Sequence, residues 1–439
     1  MGVFFGTDGL RGKVNSDLSF NIAYKVGNAL GALNPNSKVL IGSDTRLSSD
    51  MLISAVCAGL NNAGSSATII GVCPTAGIAY LTARCGFDFG IVISASHNPA
   101  EFNGIKIFDK TGKKLGDNRE LELERHFLKD VSLEGSMLGQ QQYKRGLVKI
   151  YKDFLTNSIN NNLEGLKIVL DCANGAANRI APLIFRRLGA KVYTIGSKPN
   201  GTNINLNCGA LYPANLANEV IKRRANVGFA FDGDSDRVIA VNESGEIVDG
   251  DKIIYLFATY LKEKGELIKP VVVGTRHTNM GVEIALKKRG ISLIRTDIGD
   301  KYVSERLEEN GLIIGGEQSG HVFDKRKLKT GDGILNALMV ASIIKEKNKN
   351  LSEFFNFKQY VQVNLNIKVN DKMRIINSET LSNAIENQEQ FLGKTGRLMV
   401  RVSGTEPYIR IMAESKSKFK AERAANELKE IIENLNEEF

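Results

Sequence analysis

Ile91-Val92-Ile93-Ser94-Ala95-Ser96-His97-Asn98-Pro99, continuing to Asn103-Gly104-Ile105-Lys106, is an apolar run that stops abruptly in small and polar residues. Phe89 to Ile93 reads as a buried strand, and the residues after it as the loop at its carboxyl end. In open α/β sheets that end is where ligands bind. Pro99 keeps Asn98 away from the helical region, so the segment stays a loop and the Ser96 hydroxyl is not engaged in capping a helix. Taken alone, Ser94, Ser96 and Asn98 also suit an ordinary turn at a strand exit.

The same plan recurs along the chain. Lys38 to Ile41 runs into Gly42-Ser43-Asp44-Thr45-Arg46, as Phe89 to Ile93 runs into the Ser96 loop. Lys167 to Leu170 runs into Asp171-Cys172-Ala173-Asn174-Gly175, and Val227 to Phe231 into Asp232-Gly233-Asp234-Ser235-Asp236-Arg237. Val271 to Gly274 runs into Thr275-Arg276-His277, and Gly311 to Ile314 into Gly315-Gly316-Glu317-Gln318-Ser319-Gly320-His321. Three similar α/β units, each pointing a polar loop at a common place, account for this repetition. Helices are expected at Met51 to Asn62, Asn178 to Leu188 and Gly281 to Lys288, each stopped by a glycine (Gly64, Gly189, Gly290). From Tyr360 to Val369 the pattern changes to strict alternation, the mark of an antiparallel strand with one wet face. Leu398 to Val402 and Tyr408 to Ala413 follow as strands, and Lys418 to Leu435 as a closing helix. Domain boundaries fall near 150, 250 and 365, giving segments 1–150, 151–250, 251–365 and 366–439.

A length of 439 residues exceeds one hydrophobic core, and 42% hydrophobic with 24% charged residues describes a globular chain. The net charge of +9 admits nucleic acid or a small anion as partner. Lys and Arg are dispersed, there is no Trp, and no basic motif is interleaved with base-stacking aromatics, so a small anion is expected and nucleic acid is not. Five cysteines without CxxC spacing read as free thiols of a reducing cytoplasm. Neither a secretory leader nor an apolar run long enough to span a bilayer is evident, so no membrane partner is expected.

Three carboxylates at alternate positions, Asp232, Asp234 and Asp236, converge on one hard cation if the segment is a loop, and the preceding Val-Gly-Phe-Ala-Phe strand presents it as one. An EF-hand is excluded, because its sixth position requires glycine for the sharp turn and is Arg237 here. Gly393-Lys394-Thr395 ends like a P-loop but lacks the upstream glycine. No G-x-G-x-x-G follows a strand, so nothing points to NAD or ATP. Arg401-Val402-Ser403-Gly404-Thr405-Glu406-Pro407 with Arg410 offers two arginines, two hydroxyls and an approachable backbone, a cradle for phosphate as well as a plain turn.

FGTDGLRG, ISASHNP with NGIK, FDGDSDR, GGEQSGH and RVSGTEP, in that order from residue 5 to residue 410, resemble the α-D-phosphohexomutase superfamily, and within it the phosphoglucosamine mutase branch. The resemblance implies three similar α/β domains plus a smaller C-terminal α+β domain of the TATA-binding-protein-like class around a central cleft. It implies a phosphoserine at Ser96, Mg²⁺ held by Asp232, Asp234, Asp236 and the Ser96 phosphoryl group, and Arg11 and Lys106 at the transfer site. Glu317 and Ser319 match the sugar-contacting loop, and Arg401, Ser403, Gly404, Thr405 and Arg410 the loop for the non-reacting phosphate. His321 is either a general acid/base or a hydrogen-bonding loop residue.

The implied reaction interconverts glucosamine 6-phosphate and glucosamine 1-phosphate through glucosamine 1,6-bisphosphate. That step would feed UDP-N-acetylglucosamine and cell-wall synthesis in the cytoplasm, carried out by a monomer or homodimer. The alternative is phosphomannomutase or phosphoglucomutase chemistry in the same superfamily. Two departures stand out: Ser235 where many members carry glycine, and Thr75-Ala76 in place of Thr-Pro. If Ser235 needs a positive φ, its side chain strains the metal loop.

Overall fold

The strand pairs quoted above are the first and third strands of one four-strand pattern built three times. The computed structural model describes residues 5–6, 9–127, 138–403 and 406–438. The chain opens with β1 (Phe5–Gly6), β2 (Gly9–Lys13), α1 (Phe20–Leu33), β3 (Lys38–Ser43), α2 (Ser49–Asn62), β4 (Ser66–Val72) and α3 (Thr75–Arg84). It continues through β5 (Phe89–Ile93), β6 (Phe102–Asp109), α4 (Asp117–Phe127) and β7 (Gln141–Tyr143). A linking helix, α5 (Val148–Thr156), leads to β8 (Lys167–Asp171), α6 (Ala177–Arg187), β9 (Lys191–Ile195), α7 (Ala214–Arg223), β10 (Val227–Phe231), β11 (Val238–Asn242) and β12 (Ile247–Val248). After α8 (Gly250–Glu263) come β13 (Val271–Thr275), α9 (Met280–Lys288), β14 (Ser292–Thr296), α10 (Asp300–Glu309), β15 (Ile314–Gly316), β16 (Val322–Asp324) and α11 (Gly333–Lys347).

The sheets contain the spatial orders β6-β5-β3-β4, β11-β10-β8-β9 and β16-β15-β13-β14. In each, the first three strands by sequence run parallel and the fourth returns antiparallel to the third. β5 and β10 are buried at every position, as strands covered on both faces must be. Gly64, Gly189 and Gly290 follow the expected helices at φ +79°, +94° and +64°, the left-handed conformation that ends a helix. One expectation is corrected: the third unit's third strand is Ile314–Gly316, not Gly311 to Ile314. Gly311, at φ +58°, turns the chain out of α10, and Leu312 still donates to the Leu307 carbonyl, so the extended run starts later.

The chain clusters into two compact units, residues 1–277 with 291–355 and residues 278–290 with 356–439. In the second, β17 (Val361–Lys368), α12 (Lys372–Ile376), α13 (Glu379–Leu392), β18 (Gly396–Val402), β19 (Tyr408–Ser415) and α14 (Lys418–Glu438) form an antiparallel sheet, β17-β19-β18, with helices packed on it. The alternation in β17 is real: Asn364, Asn366 and Lys368 are exposed while Ile367 joins Ile409, Ile411, Leu428 and Ile432 in the core. α9 belongs here too, Asn279 donating to the Tyr360 carbonyl (2.9 Å) and the Met280 amide to Glu414 (2.8 Å). All five cysteines are unpaired, and no described helix is long and apolar enough to cross a membrane.

Candidate functional site

β5 delivers Ser96 to a loop in which the serine takes φ +51°. A left-handed non-glycine residue is held at a penalty of about 1–2 kcal/mol, so its surroundings must enforce it. They do. The Ser96 amide donates to Ser94 Oγ (2.9 Å), and Ser94 Oγ donates to Asp44 Oδ2 (2.6 Å). The Ser96 carbonyl accepts from Arg46 (3.0 Å) and Asn205 (2.9 Å). Buried Arg46, paired with Asp44 at 2.9 Å, also donates to the carbonyls of Asn98 (2.8 Å), Phe102 (2.8 Å) and Pro99.

The loop meets the turn between β10 and β11. Ser96 Oγ donates to Asp232 Oδ2 at 2.6 Å, and a Cβ on Gly233 would lie 2.5 Å from the Ser96 carbonyl oxygen, so only glycine permits this approach. Asp232, Asp234 and Asp236 are buried, and one oxygen from each lies within 4.8 Å of the others. Lys106, on β6, reaches Asp234 Oδ2 at 2.8 Å and Asp236 Oδ2 at 3.2 Å. Thr75, at the start of α3, donates its hydroxyl to Asp234 Oδ2 at 2.6 Å. Ser235 does adopt a positive φ, +63°, the conformation in which a side chain is strained, and among the described residues its buried hydroxyl has no hydrogen-bond partner. Ala76 lies in the first turn of α3, where N–H groups have no intrahelical partner, so alanine serves as well as proline.

Burial, then the charges of Asp236 and Asp234, push the Asp232 carboxyl well above its ordinary range. Burial raises Asp236 too, but Lys106 and His321 outweigh it and hold that carboxyl well below. Crowded carboxylates of this kind repel one another unless a cation is shared among them. Among the described residues Oδ1 of Asp234 and Oδ1 of Asp236 accept no hydrogen bond although both are buried, the latter lying 3.7 Å from His321 Nδ1. All-oxygen donors with two uncommitted atoms fit a hard divalent cation. Burial, with Arg237 and Arg11 nearby, pushes His97 down to about 4, so its imidazole, 3.4 Å from Ser96 Oγ, is neutral near pH 7.

His321, just before β16, is buried with Nδ1 3.7 Å from Asp236 Oδ1 and Nε2 3.7 Å from Asp300 Oδ2. Burial lowers its pKa, but the two carboxylates prevail and raise it. A Cβ on Gly331 would come within 2.4 Å of Nε2, so that glycine makes room for the ring. Glu317 is buried in the β15–β16 turn, its Oε1 accepting from the Gly299 amide at 3.0 Å, and burial raises its carboxyl. Ser319 is exposed. Arg11, on β2, pairs in register with Gly104 of β6, two residues before Lys106.

In the C-terminal unit, Arg401 and Arg410 oppose each other across β18 and β19. Burial, then Arg410, lowers Arg401, while Arg410 bonds Glu406 at 2.6 Å. Lys372 donates to the carbonyls of Ser403 (2.7 Å) and Glu406 (3.3 Å), bracketing the loop. Gly404 and Thr405 lie outside the described residues. Sequence reasoning singled out Ser96, Lys106 and the three aspartates, which the fold brings together, but passed over Arg46, Asn205, Thr75 and Lys372 as site residues. Asp44-Thr45-Arg46 was visible as a strand-end loop. Nothing local marks Asn205.

Four profiles of the phosphoglucomutase/phosphomannomutase family match the chain in order: α/β/α domain I at residues 2–134, domain II at 147–245, domain III at 249–360 and the C-terminal domain at 365–431. The chain is 44% identical over 446 residues to a phosphoglucosamine mutase of Clostridium beijerinckii, covering 99% of each. It is 42% identical over 442 residues to one of Clostridioides difficile, covering 98% of each. Among solved structures it resembles a phosphoglucomutase/phosphomannomutase family protein of Burkholderia thailandensis (TM-score 0.81, 23% identity, 98% of this chain and 97% of that one). It also resembles the Aspergillus fumigatus N-acetylphosphoglucosamine mutase solved with GlcNAc-6P and magnesium (TM-score 0.70, 18% identity, 99% and 96%). With four domain profiles in sequence and relatives matched from end to end, the chain belongs to the phosphoglucomutase/phosphomannomutase family of isomerases.

Proposed function

We propose that this enzyme interconverts glucosamine 6-phosphate and glucosamine 1-phosphate, with Ser96 as its phosphoryl carrier. The observation that carries this is Ser96 Oγ, 2.6 Å from Asp232 in a buried carboxylate triad that Lys106 also touches. The amino-sugar phosphates named for the Clostridium and Aspergillus proteins support the choice of substrate. The buried triad and the magnesium in the Aspergillus complex support a metal-dependent mutase, and Mg²⁺ as the metal. Asp232, Asp234 and Asp236, with an oxygen on phosphorylated Ser96, would hold it, and when bound it would neutralise charge on the transferring phosphoryl group.

The chain's own groups divide the remaining work. The bond from Ser96 Oγ to phosphorus breaks as a hydroxyl of the sugar phosphate attacks in line, giving glucosamine 1,6-bisphosphate and an unmodified serine. The bisphosphate then presents its other phosphoryl group, and the bond from that sugar oxygen to phosphorus breaks as Ser96 Oγ attacks, leaving the isomeric monophosphate with a free hydroxyl and phosphorylated Ser96. Arg11 and Lys106 stabilise the equatorial oxygens as charge spreads over them. Glu317 and Ser319 bind sugar groups in both orientations, while Arg401, Ser403, Gly404, Thr405 and Arg410 hold the phosphate that is not reacting. Glu317 also suits an ammonium: a hydrogen bond to a charged group is worth about 1.5–3 kcal/mol, an advantage glucose and mannose phosphates lack. His321, with its raised pKa and buried carboxylate neighbours, is the candidate proton carrier. The segments 1–150, 151–250, 251–365 and 366–439 are proposed to supply the phosphoserine, metal, sugar and phosphate loops in turn.

The test compares kcat/KM for the 6-phosphates of glucosamine, glucose and mannose, each started with its own bisphosphate. Highest efficiency with glucosamine 6-phosphate is expected. Equal or higher efficiency with mannose or glucose 6-phosphate overturns the substrate and leaves the role of Ser96 standing. Intact-mass measurement of the protein as purified, against Ser96→Ala, tests that role separately.

A further inference from the structure

Helices α2 and α3 leave the adjacent parallel strands β3 and β4 towards opposite faces of the first sheet. Leu52 and Val56 of α2 share a core with Val39 and Ile41 of β3, whereas Ile78 of α3 approaches the other side of the sheet at Gly42. Divergence of this kind opens a crevice at the carboxyl ends of the two strands, the place where open α/β sheets bind ligands. Ser96 does not use it, since its loop follows β5. Because the four-strand pattern is built three times, each unit has a crevice at the carboxyl ends of its first two strands, on the α2 side in the first unit and on the α7 and α10 sides in the others, and their chemistry differs.

In the second unit the crevice at the ends of β8 and β9 has five asparagines in its lining, and Lys198, Asp171 and Glu219 also line it. In the third, the arginines at the ends of β13 and β14 stand among Asp297, Glu305 and Glu309, and Arg276 pairs with Asp297 at 3.0 Å. The first is the largest, about 850 Å³, and extends to the start of α6. It lies within the range of small-molecule sites. Arg145, Lys152 and Arg179 line it, and among the described residues none of them forms an ion pair. Of its carboxylates, Asp44 is taken by Arg46, leaving exposed Asp50 against three cations. α6 begins there with no side-chain cap and no acidic residue in its first turn, so its amide end adds positive potential. Tyr143, Val72 and Leu183, all substantially exposed, supply an apolar wall with an aromatic face at the rim.

Unanswered cations beside an exposed ring and aliphatic wall are the two halves of one recognition problem: phosphates at one end, a planar apolar group at the other. We propose that this crevice is a second ligand site that binds a nucleoside phosphate, with the phosphates on Arg145, Lys152 and Arg179 and the base against Tyr143. The site is separate from the triad at Ser96, though its floor includes Asp44 and Arg46, which hold the Ser96 loop.

Calorimetric titration of the full chain with ADP, pyrophosphate and adenosine tests it, alongside the Arg145→Ala/Arg179→Ala double variant and Tyr143→Ala. These residues are exposed, and unchanged mutase activity would show that the variants are folded. ADP is expected to bind, to lose at least about tenfold in affinity in the double variant, and to lose affinity in Tyr143→Ala while pyrophosphate does not. Absence of ADP binding at millimolar concentration overturns the proposal. So does ADP binding that is unchanged in the double variant, which would place it at the phosphosugar site. Pyrophosphate binding as tight as ADP, with Tyr143→Ala affecting neither, would rule out the nucleoside.

Discussion

Thr75 donates its hydroxyl to Asp234 Oδ2 at 2.6 Å and its backbone N–H to the Asp234 carbonyl at 3.0 Å, so one residue of the first α/β unit fixes both ends of an aspartate of the carboxylate triad in the second. With Lys106 on the same oxygen, Asp234 Oδ1 is left as the uncommitted donor. Thr75→Val removes the hydroxyl at nearly constant volume. Direct calorimetric titration with Mg²⁺ or Mn²⁺ should show weaker binding by about 1–3 kcal/mol, the penalty for a lost hydrogen bond to a buried charged group, and Thr75→Ser should restore it. Unchanged metal affinity in the valine variant would leave Thr75 as packing only.

Ser96→Ala should fold normally and lose its turnover, because Ser96 Oγ is the hydroxyl that donates to Asp232. Any single Asp→Asn change at 232, 234 or 236 should remove most of the activity, and pairs of changes should cost little more than one, since a shared cation is lost as a unit. Full activity in excess EDTA would contradict the metal assignment.

Arg46→Lys keeps the charge but cannot supply the fork that binds four loop carbonyls together with Asp44. The Ser96 loop should relax out of its left-handed conformation. We expect a lower unfolding temperature and slower phosphorylation of Ser96 by a bisphosphate sugar, with metal affinity changed little. A variant with wild-type phosphorylation kinetics would show that the loop holds itself.

Burial raises the Asp332 carboxyl from 3.8 to about 6 although it caps α11 and accepts from Tyr151 at 2.8 Å. The folded state therefore holds this proton more tightly than the unfolded chain. Its contribution to stability is fully present below pH 3.8 and is lost as pH rises through 6, a swing of roughly 3 kcal/mol at about 1.36 kcal/mol per pKa unit. Asp332→Asn keeps a capping oxygen and removes the titration. Urea unfolding of both proteins from pH 4 to 7 should show the variant gaining on the wild type as pH rises, and parallel curves would refute the assignment.

Arg401 and Arg410 face each other across two strands, where like charges destabilise by about 0.2–1 kcal/mol. Arg401→Gln should raise the unfolding temperature slightly in phosphate-free buffer while raising KM for the sugar phosphate. A lower unfolding temperature would mean that the pair is not in tension.

What the sequence determined by itself was local and periodic. Strand-then-polar-loop repetition made the three α/β units legible, alternation in β17 marked the different last domain, and helix-stopping glycines fell at positive φ as expected. The loops of Ser96, Asp232 to Asp236 and Glu317 to His321 were legible for the same reason: a strand that ends in polar residues advertises its carboxyl end. The strand misplaced at Gly311 lies where one glycine can either close a helix or open a strand, and the neighbouring turn decided it. Only the tertiary structure could show that Arg46, Asn205 and Thr75 hold the Ser96 and Asp234 loops, because those contacts join residues 50, 109 and 159 positions apart. The direction of each aspartate's pKa was equally out of reach, since Asp232 and Asp236 share a loop and a residue type. Burial and the charges of Asp236 and Asp234 send the Asp232 carboxyl up, whereas Lys106 and His321 outweigh burial at Asp236 and send it down, and that difference in neighbours is created by folding.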